Sequence, residues 1–589
     1  MGAFFIYRTE TSINRSAVTA LFKAKGFSDP STYVFGNWTL WHYRKQLLGQ
    51  EMLAVVTPED ALFAAGTFAY KGLGLQKSLE AVRADYHDGH LDRDRLVGAY
   101  CFLLCRQTGI EFLTDPMGLF HVFTNEDNTV FSSSFAAVLK ASPQKYHVNV
   151  PAVIENLLTG YVIGPETIAK GVYLADARYR RTFKHAEIAF VRSPPDDRGA
   201  EPERVSSFMS CVDEQLAELD RYFSLFKGVV DEAGGVDIGL SGGYDSRVLL
   251  LMAKRHYDKV YAHSHFHRTV TVDETCAGNI SAALDVPLYR CAEAKQPAEM
   301  DVKEFERNIE NTAAYNDGRV IHDYSWLVYF RTRWYREAVL RDLRFGMNGL
   351  GGELYRNHDN HLYGRVEVRE WLKARVIGAN VATSFNAKTL NLTLDYILGK
   401  AGATLGTDIN TYITHQQTRR YFGELFSVYS AAVRMNIDSQ IAFSLSPFID
   451  AGPRLASYRA LPHLGLDGRF EAAMISRMSP QLASIPSNYG YSFDRRPPVK
   501  QQAKCLARGA IPYRVQNFVQ ENRKNKNHAY AAVYEDIYRQ QPLVRVATDI
   551  MSRPEFGLLW DGVLCDGLIL MRALSVGLML HKYESCLDI

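Results

Sequence analysis

The chain has 589 residues, of which 47% are hydrophobic and 22% are charged, with a formal net charge of +2 at pH 7. This length predicts roughly two to four domains with large cores, and it excludes a small binding module. The near-neutral charge and the sequence pI of about 8.0 argue against a nucleic-acid partner, because such partners select surfaces rich in Lys and Arg.

Targeting and membrane signals are weak. The first six residues lack the positive charge that precedes the apolar part of a secretory signal, and Ile6 stands where a myristoylation signal needs Ser or Thr. Two aspartates and an arginine interrupt the apolar segment 556–580, which therefore predicts a buried helix and no membrane span. We expect a cytoplasmic protein.

The eight cysteines are scattered and form no C-x-x-C pair. This spacing predicts free thiols and no readable zinc or iron–sulfur site. Cys101 and Cys105 have the same parity on one predicted strand, so we expect both in the core.

Two regions of different pattern follow each other along the chain. Residues 1–192 consist mainly of short alternating strands, such as 98–104 and 109–114, and residues 193–204 are a polar, proline-containing linker. Residues 205–589 begin with the alternating helices and strands of a doubly wound parallel sheet and become mostly helical after residue 300. The predicted elements of that sheet are helix 206–227, strand 236–240, helix 245–256, strand 259–264, helix 273–284 and strand 286–290.

The run VDIGLSGGYDSR at residues 236–247 predicts a buried strand that breaks into a glycine turn and opens a helix. Two adjacent glycines let consecutive backbone N–H groups face one anion, and the helix N-terminus adds its positive end. Asp245 can hold the magnesium ion that accompanies a polyphosphate. The Ser-Gly-Gly-x-Asp-Ser spacing resembles the pyrophosphate loop of the ATP pyrophosphatases, which split ATP into AMP and pyrophosphate, and differs from the kinase and GTPase loop.

We predict that one set of residues around this run binds the nucleotide. A plain strand–turn–helix junction is the alternative interpretation. The predicted nucleotide-binding residues are Gly239, Leu240, Ser241, Gly242, Gly243, Asp245 and Ser246, together with His263 at the end of the next strand.

A second glycine segment, GLGGELYR at residues 349–356, follows a predicted strand that ends near Asn348. With this segment and several short motifs in order, the chain resembles the asparagine synthetase family over most of its length. The motifs of the first region are LVGAYCF at 96–102, DPMGL at 115–119, VF at 122–123, FSSS at 131–134, GYVIGPETI at 160–168 and KGV at 170–172.

The resemblance implies an α/β architecture: an N-terminal glutaminase-like (Ntn-type) β-sandwich and a C-terminal doubly wound ATP-pyrophosphatase domain with a large helical region. In that family an N-terminal cysteine attacks the glutamine amide, whereas this chain has Gly2 and no cysteine before Cys101. We therefore expect no glutaminase activity. The family's lactam-forming and peptide-cyclising branches, which include β-lactam synthetase and lasso-peptide cyclases, likewise use an amine in place of ammonia.

The resemblance also implies roles for the second glycine segment. Gly349, Gly351 and Gly352 would approach the α-phosphate of ATP and the acyl-adenylate. Glu353 would bind a second Mg²⁺, with Asp245 as the other metal ligand. One acid stands where the family has Asp-Glu, so a purely structural role for Glu353 also remains open.

Three further features match the family with equally open alternatives. The candidates for the pyrophosphate-facing lysine of the family are Lys500 and Lys504, and the preceding Arg495 and Arg496 could take the same role; all four also fit a solvated basic loop. Asp273 and Glu274 match an acidic pair and also fit ordinary partners of a helix dipole. The PFID run at 447–450 matches a turn beside the acceptor pocket and also fits a structural turn.

These motifs predict an ATP-dependent, AMP-forming amide ligase. A carboxylate would attack the α-phosphorus of ATP, pyrophosphate would leave, and an amine would capture the acyl-adenylate. The acid is either a small metabolite or a peptide side chain. Two alternatives stay open: adenylating sulfur or amine transfer on a nucleobase, and a non-catalytic nucleotide-binding protein.

The acceptor pocket would lie in the helical region after residue 300. The aromatic residues between 326 and 335 have helical spacing, which is more typical of a core than of a pocket. The sequence therefore leaves the acid and the amine unidentified, and a partner protein or a homodimer remains open.

Overall fold

The computed structural model describes residues 2–49, 52–57, 60–175, 188–192, 207–266, 270–292, 295, 297–321, 325–327, 342–356, 364–465, 467–522 and 531–588. The predicted linker 193–204 and most of the aromatic stretch between 326 and 335 lie outside these residues. Trp326, which lies within them, is fully buried, as a core position would be.

The N-terminal region contains short strands, as the sequence predicts, and also four helices. Within the described residues its strands are β1 (Ala3–Arg8), β2 (Ser31–Phe35), β3 (Trp38–Tyr43), β4 (Leu53–Val56), β5 (Ala61–Tyr70), β6 (Leu96–Arg106), β7 (Gly109–Thr114), β8 (Phe123–Asn125), β9 (Val130–Ser132), β10 (Tyr146–His147), β11 (Val172–Leu174) and β12 (Ile188–Arg192). The helices are α1 (Arg15–Ala24), α2 (Leu75–His87), α3 (Phe135–Ala141) and α4 (Val150–Thr159).

Two sheets of this region face each other across an apolar core. One has the strand order β11-β8-β9-β1-β3-β2, and the other has the order β12-β7-β6-β5-β4. Neighbouring strands are antiparallel except β12 and β7, which are parallel. On β6, Cys101 and Cys105 point into the core between the sheets, which confirms the prediction from their parity.

Helices cover the outer faces of both sheets, so the strands carry apolar residues on both sides. On β1, Phe4 faces the core between the sheets and Phe5 faces the helices. Helix α1 contributes Val18, Leu21 and Phe22, which recur at the spacing of one helical face.

The second region is built on a five-stranded parallel sheet in the order β15-β14-β13-β16-β19. The predicted alternation of helices and strands is confirmed with shifted bounds. The elements are α5 (Phe208–Glu232), β13 (Val236–Gly239), α6 (Tyr244–His256), β14 (Val260–Phe266), α7 (Val272–Leu284), β15 (Leu288–Ala292), α8 (Val302–Tyr315), β16 (Phe345–Met347) and β19 (Phe443–Leu445).

The rest of the described chain is mostly helical, as predicted, apart from two short two-stranded sheets. The antiparallel strands β17 (Arg365–Glu367) and β18 (Tyr412–Thr414) form one, and β20 (Leu587–Asp588) pairs with β10 in the other. The helices are α9 (Val368–Leu372), α10 (Ala379–Ala382), α11 (Ala387–Leu405), α12 (His415–Arg420), α13 (Ala432–Ser439), α14 (Ala451–Arg459), α15 (Arg469–Met478), α16 (Pro480–Ser484), α17 (Val499–Ala510), α18 (Tyr513–Asn522), α19 (Ala531–Val533), α20 (Pro542–Met551), α21 (Trp560–Val563) and α22 (Gly567–Lys582).

Helix α22 is the apolar C-terminal segment of the sequence, and its middle turns are buried against α20. The prediction of a buried helix is therefore confirmed. No helix among the described residues is both long and apolar enough to cross a membrane.

Buried polar contacts join the two regions. The Asp450 carboxylate accepts a hydrogen bond from the backbone N–H of Gly98 at 2.7 Å. The Lys25 ammonium and the Asp317 carboxylate form a buried ion pair at 2.5 Å. Lys45, also buried, donates to the backbone oxygen and the hydroxyl of Ser439.

Gly2 immediately precedes β1 and is closely surrounded. Its N–H donates to the Tyr43 carbonyl at 2.9 Å. A Cβ added at position 2 would lie 2.7 Å from the Arg44 carbonyl oxygen, 2.7 Å from the Phe27 ring and 2.9 Å from the Gln440 carbonyl oxygen. The backbone therefore leaves no room at this position for the side chain of a nucleophile.

Candidate functional site

The strand order reverses between β13 and β16, because β14 and β15 extend the parallel sheet on one side and β19 extends it on the other. Ligands of open α/β sheets bind in the crevice at the carboxyl ends of the two strands that flank such a reversal. The loop 240–243 follows β13 and the second glycine segment follows β16. Both glycine motifs of the sequence therefore lie at the crevice.

The loop 240–243 is closed by hydrogen bonds of its own side chains. The Ser246 hydroxyl donates to the Ser241 carbonyl at 3.0 Å and accepts from the Ser241 N–H at 3.2 Å. The Gly243 N–H donates to the Ser241 hydroxyl at 3.3 Å, and the Gly242 N–H donates to Asp273 at 2.9 Å. Each of these three backbone N–H groups therefore already donates to an oxygen acceptor.

Asp273 and Glu274 have different roles in the first turn of α7. Asp273 contacts the loop, whereas Glu274 closes a capping box with Thr271. The structural alternative therefore describes Glu274 well. Asp273 instead links α7 to the loop, because it accepts the hydrogen bond from the Gly242 N–H.

A segment that spans residues 482–493 lies against the loop. The buried guanidinium of Arg247 donates to the carbonyl oxygens of Leu482, Ile485 and Pro486 at 2.8 to 3.0 Å. The Tyr244 ring stacks on Phe493, with 4.0 Å between the ring centroids. The first turn of α6 and this segment therefore form one rigid wall of the crevice.

The second glycine segment packs directly on the loop side of the crevice. A Cβ at Gly349 would lie 2.9 Å from Cβ of Asp245, and a Cβ at Gly352 would overlap the Asp245 carboxylate. Gly351 has φ of +90°, and a Cβ there would overlap Ile449 of the PFID turn. The glycines are thus needed for close packing of the two motifs and the turn.

Arg356, which follows this segment, joins the parts of the crevice. Its Nη2 donates to both oxygens of Asp245, at 3.1 and 2.9 Å, and its Nη1 donates to the Tyr489 hydroxyl at 3.2 Å. Its Nε lies 3.1 Å from the Glu471 carboxylate on α15. No sequence pattern predicted a role for Arg356, Glu471 or Tyr489, although Arg356 ends the motif itself.

Three carboxyl groups surround this guanidinium. Burial raises the pKa of Glu353, and the Asp245 charge raises it further. Burial likewise raises the pKa of Glu471, while Arg356 opposes that rise. Glu353 therefore favours the neutral form more than an exposed glutamate does, whereas the ion pair with Arg356 favours the charged form of Glu471.

The predicted magnesium ligands, Asp245 and Glu353, lie side by side, but Arg356 holds both oxygens of Asp245. In the part of the chain that the structure describes, no group of three or more His, Cys, Asp or Glu side chains is arranged to hold a metal ion. This donor set does not fit a Mg²⁺ ion held by the protein itself. The metal role of both residues stays a prediction without support from this geometry.

His263 lies on the other side of the loop, in the middle of β14 and opposite Gly239 at the end of β13. Its Nδ1 is 2.8 Å from the carboxylate of Asp237, which is fully buried on β13. A Cβ at Gly239 would be 3.7 Å from Nε2 of the same ring. Asp237 therefore orients an imidazole toward the strand end from which the loop begins.

Lys500 and Lys504 are exposed on α17. Neither has a hydrogen bond or an ion pair with either glycine segment among the contacts of the described chain. Their role as pyrophosphate ligands therefore stays a prediction.

A cavity of about 750 Å³ adjoins the loop wall. Its lining includes Tyr244, Tyr491, Phe493, Arg469 and Arg496. The volume is in the range of small-molecule sites, and the lining offers aromatic faces, arginines and the two carboxylates of Asp467 and Asp494.

No protein-family model matches this chain. The search of curated proteins also gave no match.

Proposed function

We propose that this chain is an ATP-dependent, AMP-forming amide ligase of the asparagine synthetase type, without glutaminase activity. Its first region would then be an inactive glutaminase-like domain of Ntn type, and its second an ATP-pyrophosphatase domain. One observation carries the proposal: both glycine motifs end strands that flank the reversal of the parallel sheet, and they meet at Asp245 and Arg356.

In this proposal the loop 240–243 binds the phosphates of ATP. The N–H groups of Gly242 and Gly243, the Ser241 hydroxyl and the N-terminus of α6 supply donors at one place. The Gly242 N–H exchanges its Asp273 oxygen for a phosphate oxygen. Mg²⁺ enters as the counter-ion of the ATP phosphates and is part of the substrate.

His263 and Gly239 would lie beside the nucleoside, because they pair with each other where β13 ends and the loop begins. The cavity of about 750 Å³ is our candidate for the carboxylate substrate. Arg469 and Arg495 pair with Asp467 and Asp494 in the lining, so Arg496 is the cation that we assign to the acid. The aromatic wall suits an apolar or peptide chain.

The chemistry asked of the protein is positioning and charge neutralisation. A bound carboxylate attacks the α-phosphorus, the bond to the bridging oxygen breaks, and pyrophosphate leaves with that oxygen. A substrate amine then attacks the acyl carbon and releases AMP. The absence of room for a side chain at position 2 supports an amine donor other than ammonia from glutamine.

ATP–pyrophosphate exchange tests the proposal. Purified protein with Mg²⁺ is assayed against carboxylic acids and peptides, with Asp245→Ala as the site variant and Asp395→Ala, an exposed aspartate on α11, as the matched control. We expect exchange that depends on one acid, is lost in Asp245→Ala and persists in Asp395→Ala. ATP binding without exchange for any acid would favour a nucleotide-binding protein, and absence of ATP binding would refute the loop assignment.

A further inference from the structure

The guanidinium of Arg356 lies beside the phosphate-loop helix, where it holds both oxygens of Asp245. It lies between Asp245 on the loop helix, Tyr489 on the wall segment and Glu471 on α15. Each of these three elements therefore contributes one contact to a single side chain.

Glu471 provides an independent observation that this is a built site. Its side chain is fully buried, and both carboxylate oxygens lack a hydrogen-bond partner among the described residues. The ion pair of 3.1 Å with Arg356 Nε is the contact that compensates them. Because a buried carboxylate without compensation is costly, Glu471 fixes Arg356 in this position.

Gly352 shows why the guanidinium fits here. Any side chain at position 352 would overlap the Asp245 carboxylate. An acid at position 352 would therefore displace the Asp245 carboxylate from its contact with Arg356.

Arg356 keeps one edge available to a ligand. Its side chain is 20% exposed, and its Nη1 has a single neutral partner, the Tyr489 hydroxyl. Guanidinium groups bind phosphate oxygens through paired N–H donors, and they do so without a metal.

We propose that Arg356 is the protein's cation for the β- and γ-phosphates of ATP and for the pyrophosphate product, in place of a protein-held metal ion. Glu471 is the positioning residue that holds it. This inference rests on the proposed function for the identity of the nucleotide. It adds which residue binds the phosphates.

The test is calorimetric titration of the full-length protein with ATP, pyrophosphate and AMP, and with Mn²⁺ alone. The variants are Arg356→Lys, Arg356→Gln and the double variant Arg356→Gln/Glu471→Gln, which removes the fully buried Glu471 carboxylate together with its cation. Arg539→Gln, an exposed arginine paired with Glu535, is the matched control.

We expect the affinities for ATP and pyrophosphate to fall by about tenfold to a hundredfold in Arg356→Gln and in the double variant, as for a lost charged hydrogen bond. Arg356→Lys should lose less. AMP affinity should be unchanged, and Arg539→Gln should behave as the wild type. Mn²⁺ alone should not bind the wild type tightly.

Unchanged pyrophosphate affinity in both variants that carry Arg356→Gln would overturn the inference. If the wild type binds ATP in the same experiment, the proposed function is not refuted by that result. An equal loss of AMP affinity would also overturn it, since it would indicate a general distortion of the site. Tight Mn²⁺ binding that Asp245→Asn abolishes would show that Asp245 holds a metal. A wild type that binds neither ATP nor pyrophosphate would refute both proposals.

Discussion

No side chain fits at position 352 while the Asp245 carboxylate stays in place, because a Cβ on Gly352 would overlap that carboxylate. The contact joins the segment after β16 to the first turn of α6, so it couples the two glycine motifs. We predict that Gly352→Ala destabilises the protein by about 1–3 kcal/mol, as overpacking does. Thermal denaturation measures the loss of stability. A titration with ATP measures whether the coupled glycine motifs still bind the nucleotide.

Gly399 is the matched control for this substitution. It lies in the middle of α11, and a Cβ there would meet nothing within 4 Å. Gly399→Ala should stabilise the protein by about 0.5–1 kcal/mol, since alanine is the better helix former. Equal behaviour of the two variants would refute the packing described for Gly352.

A glycine of the loop is tested in the same way. A Cβ on Gly242 would lie 2.9 Å from Cβ of Asn488 and 2.9 Å from Cβ of Cys276. Gly242→Ala should therefore abolish acid-dependent exchange and weaken ATP binding. Gly399→Ala should retain both, and a Gly242→Ala protein with wild-type ATP affinity would count against the phosphate loop.

The buried ion pair between Lys25 and Asp317 should stabilise the contact between the two regions. Asp317 also accepts from the Phe135 N–H at 2.7 Å. Lys25→Met removes the cation and leaves a buried carboxylate, so we expect a loss of about 3–5 kcal/mol in the free energy of unfolding.

Two comparisons check this assignment by chemical denaturation. Lys25→Met combined with Asp317→Asn should cost less than the sum of the single variants, because no lone charge remains buried. Lys582→Met, which breaks a largely exposed pair with Glu310, should cost less than about 1 kcal/mol. Additive losses at positions 25 and 317 would contradict the pairing.

Asp450 should make stability depend on pH. Burial raises its pKa to about 6, although the N–H groups of Ala451 and Gly98 oppose the rise. In the unfolded chain the value is about 3.9, so the contribution of this group is complete below about pH 4 and is lost as the pH rises through about 6. The change is on the order of 3 kcal/mol.

Asp450→Asn isolates this effect. The stability of the wild type relative to the variant should decrease between about pH 4 and pH 7, because only the wild type titrates there. Denaturation curves of both proteins across this range provide the measurement. A difference that is independent of pH would show that Asp450 ionises normally in the folded protein.

Local patterns predicted much of the fold. The alternation of helices and strands predicted the core of the parallel sheet, and the parity of Cys101 and Cys105 predicted their burial between the two antiparallel sheets. Strand β19 was not predicted, because its three residues lie between helices and pair with β16 from far along the chain. Short strands acquire their identity from such distant partners.

The candidate site was predictable where it follows glycine motifs, and less so where it depends on tertiary contacts. The loop 240–243 and the segment 349–356 carry local signals. Glu471 stands in an ordinary helix whose sequence gives no indication of its ion pair with Arg356. Lys500 and Lys504 are candidates by their charge and their place after the DRRPP run at 494–498, and their exposure on α17 depends on how that helix packs.

The central claim is that this protein joins a carboxylate to AMP before it forms an amide. The most direct measurement supplies the acid that supports exchange with heavy oxygen in its carboxylate and follows the label by mass spectrometry. We predict AMP that carries one labelled oxygen, with pyrophosphate unlabelled, because the carboxylate oxygen attacks the α-phosphorus and stays on it when the amide forms. Unlabelled AMP, or release of ADP and phosphate, would contradict the account.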